Sequence, residues 1–231
     1  MKPIKQCVAE GLGTFYLCFA GISAILGTQP PINSGAGLVG IALAHGLALS
    51  VAVNCFGGLS GAHFNPAVTI GMLSTGRIKV TLAGGYIISQ LIGATAAAAA
   101  CQTIFPREAV NAANLGIPLP GAAWVNENVI LGVEFILTFL LMTAIFGTAV
   151  DERGKGVKIG GFGIGLTVAF DILAAGPVTG ASMNPARSFG PAFVMMHFDH
   201  HWCYWVAPIV GAIAAAQLYH IFLLPEDDKK A

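Results

Sequence analysis

The chain has 231 residues, of which 55% are hydrophobic and 10% are charged, against about 25% charged residues in an ordinary soluble domain. Its mean hydropathy of +0.76 indicates a membrane protein rather than a soluble domain. Eleven basic and eleven acidic residues balance, so the charge pattern indicates no basic face for nucleic acid and no acidic tail.

Six apolar stretches are long enough to cross a bilayer, whose hydrocarbon core of ~30 Å needs about 20 helical residues. They cover residues 7–27, 36–57, 80–104, 128–149, 158–176 and 201–224. Two further apolar stretches, 65–75 and 184–195, are too short, because ten helical residues span only about 15 Å. We therefore predict an all-α membrane protein with six transmembrane helices and two re-entrant half-helices that end near the bilayer midplane.

The basic residues near the span ends predict the orientation of the chain. Only Arg107 and Arg187 fall on one side of a six-span path, and the remaining ones fall on the other: Lys2, Lys5, Arg77, Lys79, Arg153, Lys155, Lys158, Lys229 and Lys230. Positive residues prefer the cytoplasmic side, so we expect both termini in the cytoplasm. The short termini show no targeting signal, which favours the plasma (cell inner) membrane.

Two motifs recur along the chain. EGLGTF begins at Glu10 and EFILTF at Glu134, 124 residues later, and two Asn-Pro-Ala triplets lie 119 residues apart. Each half then holds three spans, and because three is odd the second half starts on the opposite face of the membrane. We predict one transmembrane channel domain, 1–231, made of inverted repeats at about 1–105 and 127–231.

The triplets stand in GAHFNPAVTIG and GASMNPARSFG. Pro66 and Pro185 suit the first turn of a helix, which makes Asn65 and Asn184 helix N-caps. A single Asn-Pro pair would indicate only a helix N-cap. Two in inverted halves bring two positive helix ends together at mid-membrane, where they repel cations while the amides bind neutral molecules with acceptor atoms. This pattern favours a passive, ion-excluding pore.

Irregular backbone at this depth must be buried or line a wet cavity. The lead-ins to the triplets are therefore candidate pore-lining backbone, comprising Gly61, Ala62, His63, Gly180, Ala181, Ser182 and Met183. His63 is either a pH-sensitive gate or a neutral, hydrogen-bonded wall residue.

Buried acids need partners, since a carboxylate in a span costs about 2.5 to 3.5 kcal/mol on insertion scales. Glu10 and Glu134 either couple transport to protons or accept hydrogen bonds from the adjacent loop, and their symmetry favours the second, structural role. Asp171, deep in the fifth span, should also have a hydrogen-bonding partner.

Nothing in the sequence predicts a metal or cofactor site. MHFDHH at 196–201 could resemble a metal site, but its place in a polar turn favours a solvated loop. The five cysteines stand singly in or beside apolar runs and are expected in the core. No nucleophile and base set or nucleotide-binding loop indicates an enzyme.

The two triplets, ExxxTF in both halves and the six spans resemble the aquaporin or major intrinsic protein family over essentially the whole chain. The resemblance implies a homotetramer in the lipid bilayer, with one pore per subunit conducting water or small neutral solutes. It also assigns a central constriction of Asn65, Pro66, Ala67, Asn184, Pro185 and Ala186.

Counting from the triplets, the family's selectivity filter falls on His45, Ile172, Ala181 and Arg187. This set is similar to the filters of plant tonoplast intrinsic proteins and implies passage of water together with small neutral solutes, namely ammonia, hydrogen peroxide and urea. The alternatives are a glycerol facilitator with water secondary and a proton-coupled transporter. Ser188, Ala192 and Tyr204-Trp205 depart from the family's glycerol branch.

Overall fold

The computed structural model describes residues 2–157 and 159–230, without the side chains of 229 and 230. Within these residues lie ten α-helices: α1 Pro3–Gly27, α2 Gly37–Ser60, α3 Pro66–Ser74, α4 Val80–Ile104, α5 Arg107–Ala112, α6 Glu127–Ile145, α7 Glu152–Lys155, α8 Gly160–Thr179, α9 Pro185–Met195 and α10 Cys203–Leu218. Lys158, where the fifth span was expected to begin, lies outside the described residues. So do the side chains of Lys229 and Lys230, which contributed to the predicted orientation.

The predicted fold class is confirmed. Among the described residues, six helices are long and apolar enough to cross a membrane, and their bounds are Pro3–Gly27, Gly37–Ser60, Val80–Ile104, Glu127–Val150, Gly160–Thr179 and Cys203–Leu223. The described residues contain no β-strand. The fifth span runs past Pro177 to Thr179, beyond its expected end at 176, and stops where Gly180 adopts φ +83°.

The fourth and sixth spans end in matching π-helical turns, Phe146–Val150 and Tyr219–Leu223. The N–H of Asp151 donates to Phe146 O, and the N–H of Leu224 donates to Tyr219 O, each over 2.8 Å. These turns carry the two spans to the same side of the molecule.

Helix α2 packs along α8 and joins the two halves of the chain. A Cβ placed on Gly46 would lie 2.5 Å from Gly165 O, and one on Gly165 would lie 2.1 Å from Gly46 O. Only glycine at both positions allows the two backbones to approach so closely, as is common between membrane helices. This contact fixes α2 against α8 beside the lumen.

The half-helices α3 and α9 each pack on a span from the opposite half. Helix α3 lies against α10 and α9 against α4. Asn65 and Asn184 cap them, and both N-terminal ends are buried in the interior. Of the five cysteines expected in the core, Cys18, Cys101 and Cys203 are buried. The expectation is wrong for Cys55, which is exposed on α2.

Candidate functional site

Three cavities follow one another through the molecule. A vestibule of about 450 Å³ lies beside Gly116, Ile117 and Arg187, and a second of about 260 Å³ lies beside Arg77 and Lys155. Between them is a central cavity of about 30 Å³. Each vestibule shares wall residues with the central cavity, so the three form one path whose narrowest part has room for only a few water molecules.

The lead-ins to the two triplets have the same backbone conformation. Gly61 and Gly180 are left-handed at φ +89° and +83°, and so are Ala62, Phe64, Ala181 and Met183. In this conformation, the carbonyl oxygens of six loop residues have no donor from residues 2–157 or 159–230: Gly61, Ala62, His63, Gly180, Ala181 and Ser182. Carbonyl oxygens without protein donors are suited to accept hydrogen bonds from water in the lumen.

Glu10 and Glu134 hold these two loops from behind. Glu10 accepts hydrogen bonds from the N–H groups of His63 and Phe64 over 3.0 and 2.6 Å. Glu134 accepts from the N–H groups of Ser182 and Met183 over 2.9 and 2.8 Å. Both carboxyls are fully buried. They satisfy four backbone N–H groups of the two loops and thereby hold the loops in place.

Each asparagine of the triplets makes two kinds of hydrogen bond. Its Oδ1 caps its own half-helix, accepting from Ala67 N over 2.8 Å in one case and from Ala186 N over 3.0 Å in the other. Its Nδ2 donates across the two-fold axis, from Asn65 to Met183 O over 2.8 Å and from Asn184 to Phe64 O over 3.0 Å. Both asparagines line the central cavity. One of the two amide hydrogens on each side chain is therefore committed, and one remains for a passing molecule.

The four candidate filter residues lie together at one end of the central cavity. His45, Ile172 and Arg187 line both this cavity and the vestibule beside Gly116, and Ala181 lines the central cavity. The apolar side chain of Ile172 and the small side chain of Ala181 are buried, with exposed fractions of 4% and 1%. The set combines one cation, one imidazole and two side chains without hydrogen-bonding groups.

The two polar side chains of this set are held by backbone carbonyls. Arg187 Nη1 donates to Gly116 O over 3.0 Å, and His45 Nδ1 lies 2.8 Å from Ile41 O, one turn earlier on α2. A carbonyl oxygen only accepts, so Nδ1 of His45 carries its hydrogen and Nε2 of the neutral ring is an acceptor. Sequence reasoning missed Gly116, because no motif marks the loop that carries it.

Further residues behind the loops also escaped the sequence analysis. Tyr86 donates to Ser60 O and Tyr204 to Thr179 O, each over 2.7 Å. Gln90 Nε2 bridges Glu10 Oε2 and Thr69 Oγ1 over 2.8 and 3.0 Å. The tyrosines lie 118 residues apart, close to the spacing of the triplets, and that spacing was the signal that could have identified them.

His63 forms part of the lumen wall. Its Nδ1 lies 3.1 Å from Thr69 Oγ1, and its ring stands edge-on to Tyr86 with the centroids 5.3 Å apart. His63 lines both the central cavity and the vestibule beside Arg77. These contacts correspond to the hydrogen-bonded wall position considered above.

The expectation for Asp171 is wrong. The side chain is fully buried, yet neither carboxyl oxygen has a hydrogen-bonding partner among the described residues. The acid with which it interacts electrostatically is Glu134, whose own oxygens already accept from Thr179, Ser182 and Met183. A second acceptor offers Asp171 no donor.

The histidines at 197–201 have local partners in the described structure. His197 Nε2 lies 3.0 Å from Asp199 Oδ2, and His200 Nδ1 lies 3.1 Å from Glu127 Oε1. His201 Nε2 accepts from the indole N–H of Trp205 over 3.0 Å. His197 therefore pairs within the loop between α9 and α10, whereas His200 pairs with α6 and His201 with α10.

Comparison with known proteins relates this arrangement to one family. The model of the family "Major intrinsic protein" matches residues 1–219. The chain is 41% identical to Aquaporin NIP1-2 of Arabidopsis thaliana, covering 94% of this chain and 74% of that protein. It is 42% identical to Probable aquaporin TIP3-2 of the same plant, covering 96% and 85%.

A solved structure described as the aquaglyceroporin from Plasmodium falciparum matches with a TM-score of 0.86 and 25% identity, covering 100% of both chains. The fold, the sequence similarity and the paired half-helices all indicate the same family. The chain belongs to the major intrinsic protein family, the family of the aquaporins, and is an integral, multi-pass and non-enzymatic channel protein.

Proposed function

We propose that this protein is a passive channel for water that also conducts small neutral solutes, namely ammonia, hydrogen peroxide and urea, and that excludes ions and protons. The observation that carries the proposal is the central cavity of about 30 Å³ between two wider vestibules, bounded by His45, Ile172 and Arg187. A short constriction lined by few polar groups selects by size and hydrogen bonding.

The filter in this proposal is His45, Ile172, Ala181 and Arg187. Arg187 repels cations and donates to passing oxygen atoms, and His45 offers a second polar contact on the opposite wall. Ile172 leaves an apolar wall beside Ala181. The set is similar to that of tonoplast intrinsic proteins. Overall identity is nearly equal toward a TIP-type and a NIP-type aquaporin, at 42% and 41%, so the assignment depends on these four residues.

Ion exclusion is assigned to the central constriction. Pro66, Ala67, Pro185 and Ala186 begin two buried half-helices whose positive ends face each other across Asn65 and Asn184. Each end carries a partial charge of about +0.5, and the poorly hydrated site screens it little. Glu10 and Glu134 serve as structural acceptors, because loop donors occupy their oxygens. This argues against proton coupling.

The test is stopped-flow light scattering on proteoliposomes, with water, ammonia, urea and glycerol measured in parallel. The proposal expects water, ammonia and urea fluxes above the lipid background and no proton flux. Arg187→Val should admit protons, and His45→Phe should reduce urea flux more than water flux. Water flux without any ammonia or urea flux would refute the wider filter, and absence of water flux would refute the channel.

Glycerol is the second candidate cargo. Ile172 supplies the apolar wall that a polyol backbone needs, and the similar solved structure is described as an aquaglyceroporin. The glycerol measurement in the same experiment decides whether water or glycerol is the main cargo. A glycerol flux exceeding that of water would make this chain a facilitator with water secondary.

We further propose a single channel domain assembled as a homotetramer in the plasma membrane, with both termini cytoplasmic. Exposed apolar side chains on α2 and α8, among them Leu47, Val51, Phe162 and Phe170, offer a face for neighbouring subunits or lipid. Native mass spectrometry of the detergent-solubilised protein tests the tetramer. Protease protection of a terminal tag in cells tests the orientation.

A further inference from the structure

Gly21 on α1 lies directly against the imidazole of His45. A Cβ placed on Gly21 would be 2.1 Å from Nε2 and 2.5 Å from both Cδ2 and Cε1 of the ring. The three atoms farthest from the histidine backbone thus occupy the space where a side chain at position 21 would stand. Both residues are buried.

The packing of α2 leaves the imidazole of His45 no space to move into except the lumen. Helix α2 cannot move away from α1, because Gly46, the next residue, already touches the α8 backbone, with Gly165 O only 2.5 Å from a Cβ at position 46. The hydrogen bond from Nδ1 to Ile41 O fixes the ring in this pose. A side chain on α1 would therefore push the imidazole into the lumen, where it lines both the central cavity and the vestibule beside Gly116 together with Arg187.

We propose that Gly21 is a specificity-determining residue of the filter: the absence of a side chain at this position gives the imidazole of His45 a recess on α1, and the recess sets the width of the lumen. Ordinary contact between a Cβ and a ring atom needs 3.4 Å or more, and 2.1 Å is available. The ring would have to move by more than an ångström, which is large for a cavity of about 30 Å³. The inference rests on the proposed channel function.

The experiment is a double-mutant cycle of Gly21→Ala and His45→Ala in proteoliposomes, with water permeability expressed per channel. Gly21→Ala alone should lower water permeability about tenfold and urea permeability further, because the displaced ring narrows the filter. In the His45→Ala background, the same substitution should change neither. Gly84→Ala is the matched control, since a Cβ on Gly84 meets nothing within 4 Å.

Thermal unfolding in detergent gives a readout independent of transport. Gly21→Ala should lower the melting temperature by several degrees when His45 is present and leave it unchanged when His45 is alanine. Normal permeability and stability of Gly21→Ala would overturn the proposal, and so would equal losses in both backgrounds. Failure of the channel function itself would be seen separately, as a wild-type protein that conducts no water.

Discussion

The side-chain amide of Asn65 donates a hydrogen bond to the backbone carbonyl of Met183 over 2.8 Å, across 118 residues of chain. The equivalent bond runs from Asn184 to Phe64 O. Each triplet thereby holds the loop that precedes the other, and the two half-helices are fixed end to end. The same asparagine that caps a helix positions the opposite wall of the lumen, so changes at these residues should affect selectivity and stability together.

Asn184→Asp should convert the constriction from cation-excluding to cation-permeable. Aspartate retains the cap oxygen for Ala186 N but places a negative charge in the central cavity. A carboxylate about 4 Å from a cation attracts it by about 4 kcal/mol at an effective dielectric constant of 20. We expect proton or potassium flux to rise by at least about tenfold in proteoliposomes under a diffusion potential.

The matched control is Asn126→Asp, because Asn126 caps α6 in the same way, accepting from Val129 N, but is exposed. That variant should conduct as the wild type does. Unchanged cation flux in folded Asn184→Asp would show that the barrier lies elsewhere, at Arg187.

Glu134→Gln should destabilise the protein without creating pH-dependent transport. The glutamine NH2 would face one of the N–H donors of Ser182 and Met183, leaving a buried donor unsatisfied at a cost of about 1–3 kcal/mol. The melting temperature in detergent measures this loss. Glu108→Gln, at an exposed glutamate of α5, should leave it unchanged. A stable Glu134→Gln variant that lost a proton-driven flux would instead support coupled transport.

Asp171→Leu should stabilise the protein. A buried carboxyl without a donor costs more than an apolar side chain of similar size, and Asp171 has no partner among the described residues. We expect a gain of about 1–3 kcal/mol in the free energy of unfolding, with water permeability within about twofold of wild type, an effect below 1 kcal/mol. A large fall in permeability with an intact fold would assign Asp171 a role in conduction.

Asp151 should make one part of the structure sensitive to acid. Hydrogen bonds from Arg153 and Tyr219 lower the pKa of Asp151 to about 2 from its ordinary value of 3.8. Because the folded pKa is lowered, the stabilisation is complete above about pH 4 and is lost as the pH falls toward 2. Asp151→Asn should therefore lower the melting temperature at pH 7 and differ little from wild type near pH 2.

The control for this comparison is Asp227→Asn, at an exposed aspartate, which should follow the wild-type curve throughout. The Asp151 contact joins the segment after α6 to the π-helical turn Tyr219–Leu223, since Tyr219 donates to Asp151 and Arg153 also donates to Leu223 O over 2.7 Å. A constant difference between Asp151→Asn and wild type from pH 7 to pH 2 would contradict the assignment.

The sequence by itself determined the spans, the half-helices and the symmetric pairs. Apolar run length reports membrane crossing directly, and Asn65-Pro66 and Asn184-Pro185 are local helix-start signals. The motif that begins at Glu10 recurs at Glu134, which predicts that both acids lie behind equivalent loops. These features depend on residues near in sequence or on a repeat that sequence comparison can detect.

Only the tertiary structure decided which long-range neighbours meet. The carbonyl of Gly116 accepts a hydrogen bond from Arg187, Gly21 makes room for His45, and Asp171 is buried without a donor among the described residues. None of these contacts follows from local propensity, because each joins segments brought together by helix packing. The sequence therefore predicts a pore and its polar residues, whereas the contact between Gly21 and His45, on which we propose that the width of the pore depends, arises only from helix packing.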